Sequence, residues 1–124
     1  MTEATRLAVL GAGAFGTALA NVAARAGRRV TLWAREAPVV AEINGRRTNA
    51  ARLPGATIHE GVTATASLEE AAGAGLVLAV VPAQALRAVA RAAAPFVAPG
   101  TAFVICAKGI ERGTGRFMSD IVAE

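Results

Sequence analysis

Three glycines spaced Gly11-x-Gly13-x-x-Gly16 stand where a short apolar run, Leu7 to Leu10, gives way to a helical pattern through Thr17, Ala18, Leu19, Ala20 and Val22. That spacing suits a ligand carrying phosphates. Gly11 lets the chain turn sharply at a strand end, Gly13 leaves no Cβ between backbone and pyrophosphate, and Gly16 lets the helix pack closely on the strand. The first N–H groups of the helix and the positive end of its dipole then face the phosphates. In a chain with 13 glycines the triplet alone is weak, and the order strand, turn, helix is what gives it weight. The chemistry implied is dinucleotide binding.

A second run, Val30 to Trp33, ends at Ala34-Arg35-Glu36, about 20 residues past the glycines, where such a site meets the adenosine ribose. An acid there bonds the 2′-hydroxyl and repels a 2′-phosphate. A guanidinium stacks on adenine or forks to a phosphate. Arg35 is the expected contact and favours NADP, while Glu36 keeps NAD open if the strand ends one residue later. Farther on, Val81 and Pro82 follow an apolar run, Leu76 to Val81, and their backbone is placed to line a nicotinamide. Lys108, the sole lysine among 13 basic residues, closes the last apolar strand. Its compact charge and rotating donors suit a carbonyl or phosphate oxygen. Cys106 reads as a small buried hydrophobe, and His59, the one histidine, has no acid at useful spacing.

These residues need elements to hold them. Apolar runs at Leu7 to Leu10, Val30 to Trp33, Leu76 to Val81 and Ala102 to Ile105 alternate with helical segments, and a weaker strand is expected near Val62 to Thr65. The runs are continuous rather than alternating, as in strands covered on both sides. The fold expected is α/β, a Rossmann-type doubly wound and mostly parallel sheet with helices on both faces. Ser67 and Glu70 have the spacing of a capping box, and Pro82 suits the first turn of a helix through Leu86, Val89 and Ala90. Ile43 to His59 shows no period and is expected to be a long loop. At the far end Phe117, Ile121 and Val122 fall at helical spacing with no stop signal before Glu124, so a further domain is expected beyond residue 124.

Composition narrows the function. A chain of 124 residues, 54% hydrophobic but only 4% aromatic, makes one domain with an Ala, Val, Leu and Ile core. The single cysteine excludes an internal disulfide, and the N-terminus has no secretory pattern, so a cytoplasmic protein is expected. No apolar stretch is long enough for membrane insertion. The net charge of +4 is scattered and lacks an aromatic ladder, so nucleic acid is not an expected partner.

Four segments together resemble the bacterial NAD(P)-dependent glycerol-3-phosphate dehydrogenases: Gly11-Ala-Gly-Ala-Phe-Gly-Thr-Ala-Leu-Ala20, Leu32-Trp-Ala-Arg35, Asn49-Ala-Ala-Arg-Leu-Pro-Gly55 and Lys108-Gly-Ile-Glu111. Val81-Pro-Ala-Gln84 and Thr114-Gly-Arg116 add to the likeness. The resemblance implies that residues 1–124 form a dinucleotide-binding domain. The reaction it implies is hydride transfer between NAD(P)H and dihydroxyacetone phosphate, giving sn-glycerol 3-phosphate. By position, Ala14 and Phe15 then touch the cofactor through their backbones, Arg35 takes the adenosine end, and Lys108 meets both cofactor and substrate. Ala14 stands where the family commonly has serine, and Arg52 where it has an aromatic residue. The family's general acid/base is a second lysine, and this chain has none, so no catalytic residue is assigned within it.

Two other readings keep the same opening fold: a ketopantoate or hydroxyacid dehydrogenase, against which the Leu-Pro-Gly and Lys-Gly-Ile-Glu segments argue, and a non-catalytic NAD(P)-binding redox sensor. A homodimer is a further expectation, through an apolar patch left where a second domain would dock.

Overall fold

The computed structural model describes residues 6–97 and 101–105. Five strands, β1 (Arg6–Leu10), β2 (Arg29–Trp33), β3 (Val62–Thr65), β4 (Leu76–Ala79) and β5 (Ala102–Ile105), form one sheet in the order β3-β2-β1-β4-β5. Every pairing is parallel. The chain therefore starts in the middle, builds outward to one edge, then returns to build the other half. β1 and β4 flank the point where the direction of winding reverses, and in open α/β sheets the ligand crevice lies there, at the carboxyl ends of the strands.

Helices α1 (Ala14–Arg25) and α2 (Ala37–Arg46) cover one face; α3 (Leu68–Ala72) and α4 (Leu86–Ala93) cover the other. Alternate residues of each strand point to opposite faces. Leu7 and Val9 join Val30, Leu32, Ile43 and Val62 under α1 and α2, while Ala8 and Leu10 join Trp33, Val77, Leu86 and Val89 under α3 and α4. The small Ala and Val side chains let helices lie close to the sheet, in keeping with the low aromatic content.

The expected strands all form, including Val62 to Thr65, but β4 ends at Ala79 rather than Val81. Val80 still donates its N–H to the Leu10 carbonyl at 2.8 Å, and Pro82, which has no N–H, carries the chain off the sheet. The expected loop from Ile43 starts later, because α2 continues to Arg46 and stops at Arg47, which takes a left-handed conformation with φ 57°. The capping box at Ser67 is half formed. The Ser67 hydroxyl accepts from the Glu70 N–H at 3.3 Å, but the Glu70 carboxylate accepts from Thr65 Oγ1 at 2.8 Å, and that hydroxyl accepts the Ser67 N–H at 3.0 Å. Pro82 precedes a single 3-10 turn, Ala83–Ala85, that leads into α4.

The outer edge of β3 is closed by side chains. Asn44 donates Nδ2 to the Ala64 carbonyl at 3.0 Å and accepts the Ala64 N–H on Oδ1 at 2.8 Å, taking the place of a neighbouring strand. Arg47 Nη2 donates to the Val62 carbonyl at 2.7 Å and also to that of His59.

Candidate functional site

Gly11 has φ +123°, a conformation that L side chains avoid, and a Cβ there would lie 2.4 Å from the Val80 carbonyl oxygen. A Cβ on Gly16 would lie 1.9 Å from the Gly11 carbonyl oxygen. Both glycines are thus demanded by the protein's own packing, and Gly16 is pressed against the turn more than against the strand beneath it. Gly13 differs. Among the described residues, a Cβ there would meet no atom within 4 Å beyond its chain neighbours, so none of them excludes a side chain. Gly13 is also the N-cap of α1, with no side-chain cap hydrogen bond and no acid in the first turn. A helix start without a side-chain cap offers N–H groups and a positive dipole end to an anion.

The turn opens on a crevice of about 240 Å³ lined by Gly11, Ala12 and Gly13, by Val80, Val81 and Pro82, and by Arg35, Glu36 and Arg52. Of the residues expected from sequence, Gly11, Gly13, Arg35, Val81 and Pro82 come together here. Gly16 supports the turn from below, and Ala14 and Phe15 lie on the first turn of α1 with exposed side chains, outside this lining. Lys108 and Cys106 lie outside the described residues. Arg35 and Glu36 both face the crevice, so the structure brings a cation and an acid to the end of β2 together. Trp33 adds an aromatic wall, its Nε1 donating to the Ala66 carbonyl at 3.1 Å.

Sequence reasoning missed the residues that bring Arg52 to this place. Asn49 is buried, and its Nδ2 donates to the Ala12 carbonyl at 2.9 Å and to Thr17 Oγ1 at 3.0 Å. The N–H groups of Arg52 and Leu53 then donate to the Asn49 carbonyl at 3.2 and 2.7 Å, forming the turn that presents Arg52. Glu42 secures the start of the loop by accepting from Thr48 Oγ1 and the Ala50 N–H, both at 2.8 Å. Those bonds, the Ala50 N–H first, hold its carboxyl below the usual carboxylate range. Asn21, on α1, donates to the Thr57 carbonyl at 3.1 Å and accepts the His59 N–H at 2.8 Å. His59 therefore sits in a pinned backbone, its Nδ1 accepting the Gly61 N–H at 2.9 Å. Among the described residues no group of three or more His, Cys, Asp or Glu side chains is placed to hold a metal, and no helix is long and apolar enough to cross a membrane.

Residues 6–124 match the family model described as NAD-dependent glycerol-3-phosphate dehydrogenase N-terminus. The chain belongs to the glycerol-3-phosphate dehydrogenase family. It is 58% identical over 122 residues to a glycerol-3-phosphate dehydrogenase [NAD(P)+] of Azorhizobium caulinodans, covering 98% of this chain and 37% of that protein. A Bradyrhizobium sp. relative of the same name is 54% identical over 124 residues, 100% of this chain and 38% of the relative. Among solved structures, the Coxiella burnetii glycerol-3-phosphate dehydrogenase superposes with a TM-score of 0.90 at 33% identity, over 98% of this chain and 38% of that one. A putative ketopantoate reductase of Ralstonia solanacearum, also 33% identical, reaches 0.67 over 86% of this chain and 32% of the other. The fold is shared with that rival reading, but the family model and the higher TM-score are those of the dehydrogenase family. The chain thus spans under two fifths of the length of the glycerol-3-phosphate dehydrogenases it matches.

Proposed function

We propose that this chain is the dinucleotide-binding domain of an enzyme that interconverts dihydroxyacetone phosphate and sn-glycerol 3-phosphate, with NAD(P) as the hydride carrier. The observation that carries the reading is the open space at Gly13, a position that packing among the described residues does not require to be glycine and that lies at a helix start without a side-chain cap. A pyrophosphate would fill that space. The residues present fit a dinucleotide: Gly11, Gly13 and the backbone of Ala14 and Phe15 hold the phosphates, Gly16 keeps the turn tight, and Val81 and Pro82 wall the nicotinamide side. When bound, the cofactor supplies a hydride to a carbonyl carbon. Lys108 is assigned to the cofactor and substrate, where an ammonium stabilises negative charge on the carbonyl oxygen.

Arg35 and Arg52 outnumber Glu36 along the adenosine side of the crevice, which supports NADP over NAD. Proton delivery to the new alcohol is a separate task. The general acid/base lysine is expected downstream of this chain, since the sequence given has no lysine besides Lys108. The reading also places the protein in the cytoplasm and treats Phe15 and Val22, each 58% exposed on α1, as surface through which two copies would pair.

Trp33 is the one tryptophan and lines the crevice, so its fluorescence reports occupancy directly. Titration with NADPH and NADH is expected to give saturable quenching with NADPH the tighter ligand, while the 124 residues alone reduce no dihydroxyacetone phosphate. Absence of saturable binding by both nucleotides would overturn the reading.

A further inference from the structure

A second hollow lies away from the glycine turn. About 830 Å³ in volume, it opens where the amino ends of β1 and β2 meet the loop before β3, the end of the sheet opposite the crevice. Arg6 and Arg29 are register partners at the starts of β1 and β2, and Arg28 adjoins Arg29, so three arginines line one end; Arg6 already has a partner of its own, which leaves Arg28 and Arg29, both exposed, as the main cations there. Glu60 is the acid among the residues lining that end.

The floor is polar for a topological reason. Thr31 and Thr63 are register partners on the sheet face that carries Ala8 and Leu10, and Thr65 follows on the same face. Over β1 and β4 this face is apolar and covered by α3 and α4. Helix α3 has only five residues, and Thr31 is left half-buried and Thr63 exposed. Glu70 lines the far end, with the Thr65 hydroxyl bonded to its carboxylate at 2.8 Å. At ~3.3 Å per residue, about 13 Å of strand separates the level of Arg29 from that of Thr65. The hollow is therefore cationic at one end, hydroxyl-lined in the middle and acidic at the other.

The geometry points to a second ligand site here, for a small phosphate ester that also carries hydroxyl groups. The phosphate meets the arginines, whose planar forks match its oxygens. The hydroxyls meet Thr31, Thr63 and the Glu70 carboxylate. Nothing in this site overlaps the dinucleotide crevice, and the two are loaded independently.

The test is calorimetric titration of glucose 6-phosphate into the chain held at saturating NADPH, with inorganic phosphate and glucose as separate arms. Glucose 6-phosphate is expected to bind at least tenfold more tightly than either arm. The pair Arg28→Ala and Arg29→Ala is expected to weaken it tenfold or more, whereas Arg46→Ala with Arg91→Ala, exposed elsewhere and equal in charge change, lowers it less than threefold. Thr63→Val, which keeps charge and strand propensity, is expected to cost about fivefold. Equal losses from the two arginine pairs, no loss from Thr63→Val, or no preference over inorganic phosphate would overturn the site. Competition with NADPH would do so too, while leaving the dinucleotide reading intact.

Discussion

Asn49 and Ala12 are separated by 37 residues of sequence, yet the Asn49 side-chain amide donates to the Ala12 carbonyl at 2.9 Å. The bond ties the long loop to the middle of the glycine turn. Its second donor contact, to buried Thr17, ties the same amide to α1. Asn49→Ala would leave the Thr17 hydroxyl and the Ala12 carbonyl without this donor, at a cost of about 1–3 kcal/mol. Urea denaturation is expected to show that loss, and Trp33 fluorescence a weaker NADPH affinity. Unchanged stability would mean that the loop is held by its other bonds.

The glycines separate packing from binding. Gly13→Ala meets no protein atom and is expected to leave the melting temperature within a few degrees while raising the NADPH Kd at least tenfold. Gly16→Ala drives a methyl into the Gly11 carbonyl and is expected to destabilise by about 1–3 kcal/mol or more, as overpacked sites do. If Gly13→Ala bound NADPH as wild type does, no phosphate would lie where we place it.

In our proposal, cofactor choice rests on Arg35 and Glu36, two adjacent residues that line the crevice. Arg35→Ala is expected to lose about tenfold in NADPH affinity, near 1.4 kcal/mol, with NADH little changed. Glu36→Gln is expected to raise NADPH affinity modestly by removing a like charge from the neighbourhood of the 2′-phosphate. Parallel titrations with both nucleotides read the difference, and equal losses for NADH and NADPH in Arg35→Ala would assign that side chain to the adenine instead.

Stability should respond to acid through Glu42. Its carboxyl is held below the usual range by the Ala50 N–H and the Thr48 hydroxyl, so the folded state favours the charged form. The stabilisation is complete above the ordinary carboxylate pKa of about 4.3 and is lost as pH falls through the lowered value. Thermal melts from pH 6 to pH 3 are expected to fall more steeply for wild type than for Glu42→Gln. Parallel curves would show that the loop start contributes nothing to the acid response.

Much of this was legible because it rests on local pattern. The glycine turn, the strands and the Ser67 cap announce themselves within a few residues, and the conformation of Gly11 follows from its place at a strand end. What sequence hid were bonds between distant residues. Nothing in Asn-Ala-Ala-Arg shows that Asn49 will be buried against a turn far upstream, or that Arg52 will then face the crevice. The last turn of α2 was obscured because the stretch from Ile43 shows no period, and nothing in it tells that Asn44 will be spent on the Ala64 backbone. The end of β4 was overestimated because Val80 and Val81 remain apolar after the ladder stops: they line the crevice rather than extend the sheet.

The amide of Asn44 and the guanidinium of Arg47, set against Ala64 and Val62, seal one flank of the sheet. On that flank the backbone is already spoken for, and a foreign segment would have to displace two side chains to dock. The fold thereby carries, on the flank of Val62–Thr65, its own safeguard against the addition of another strand.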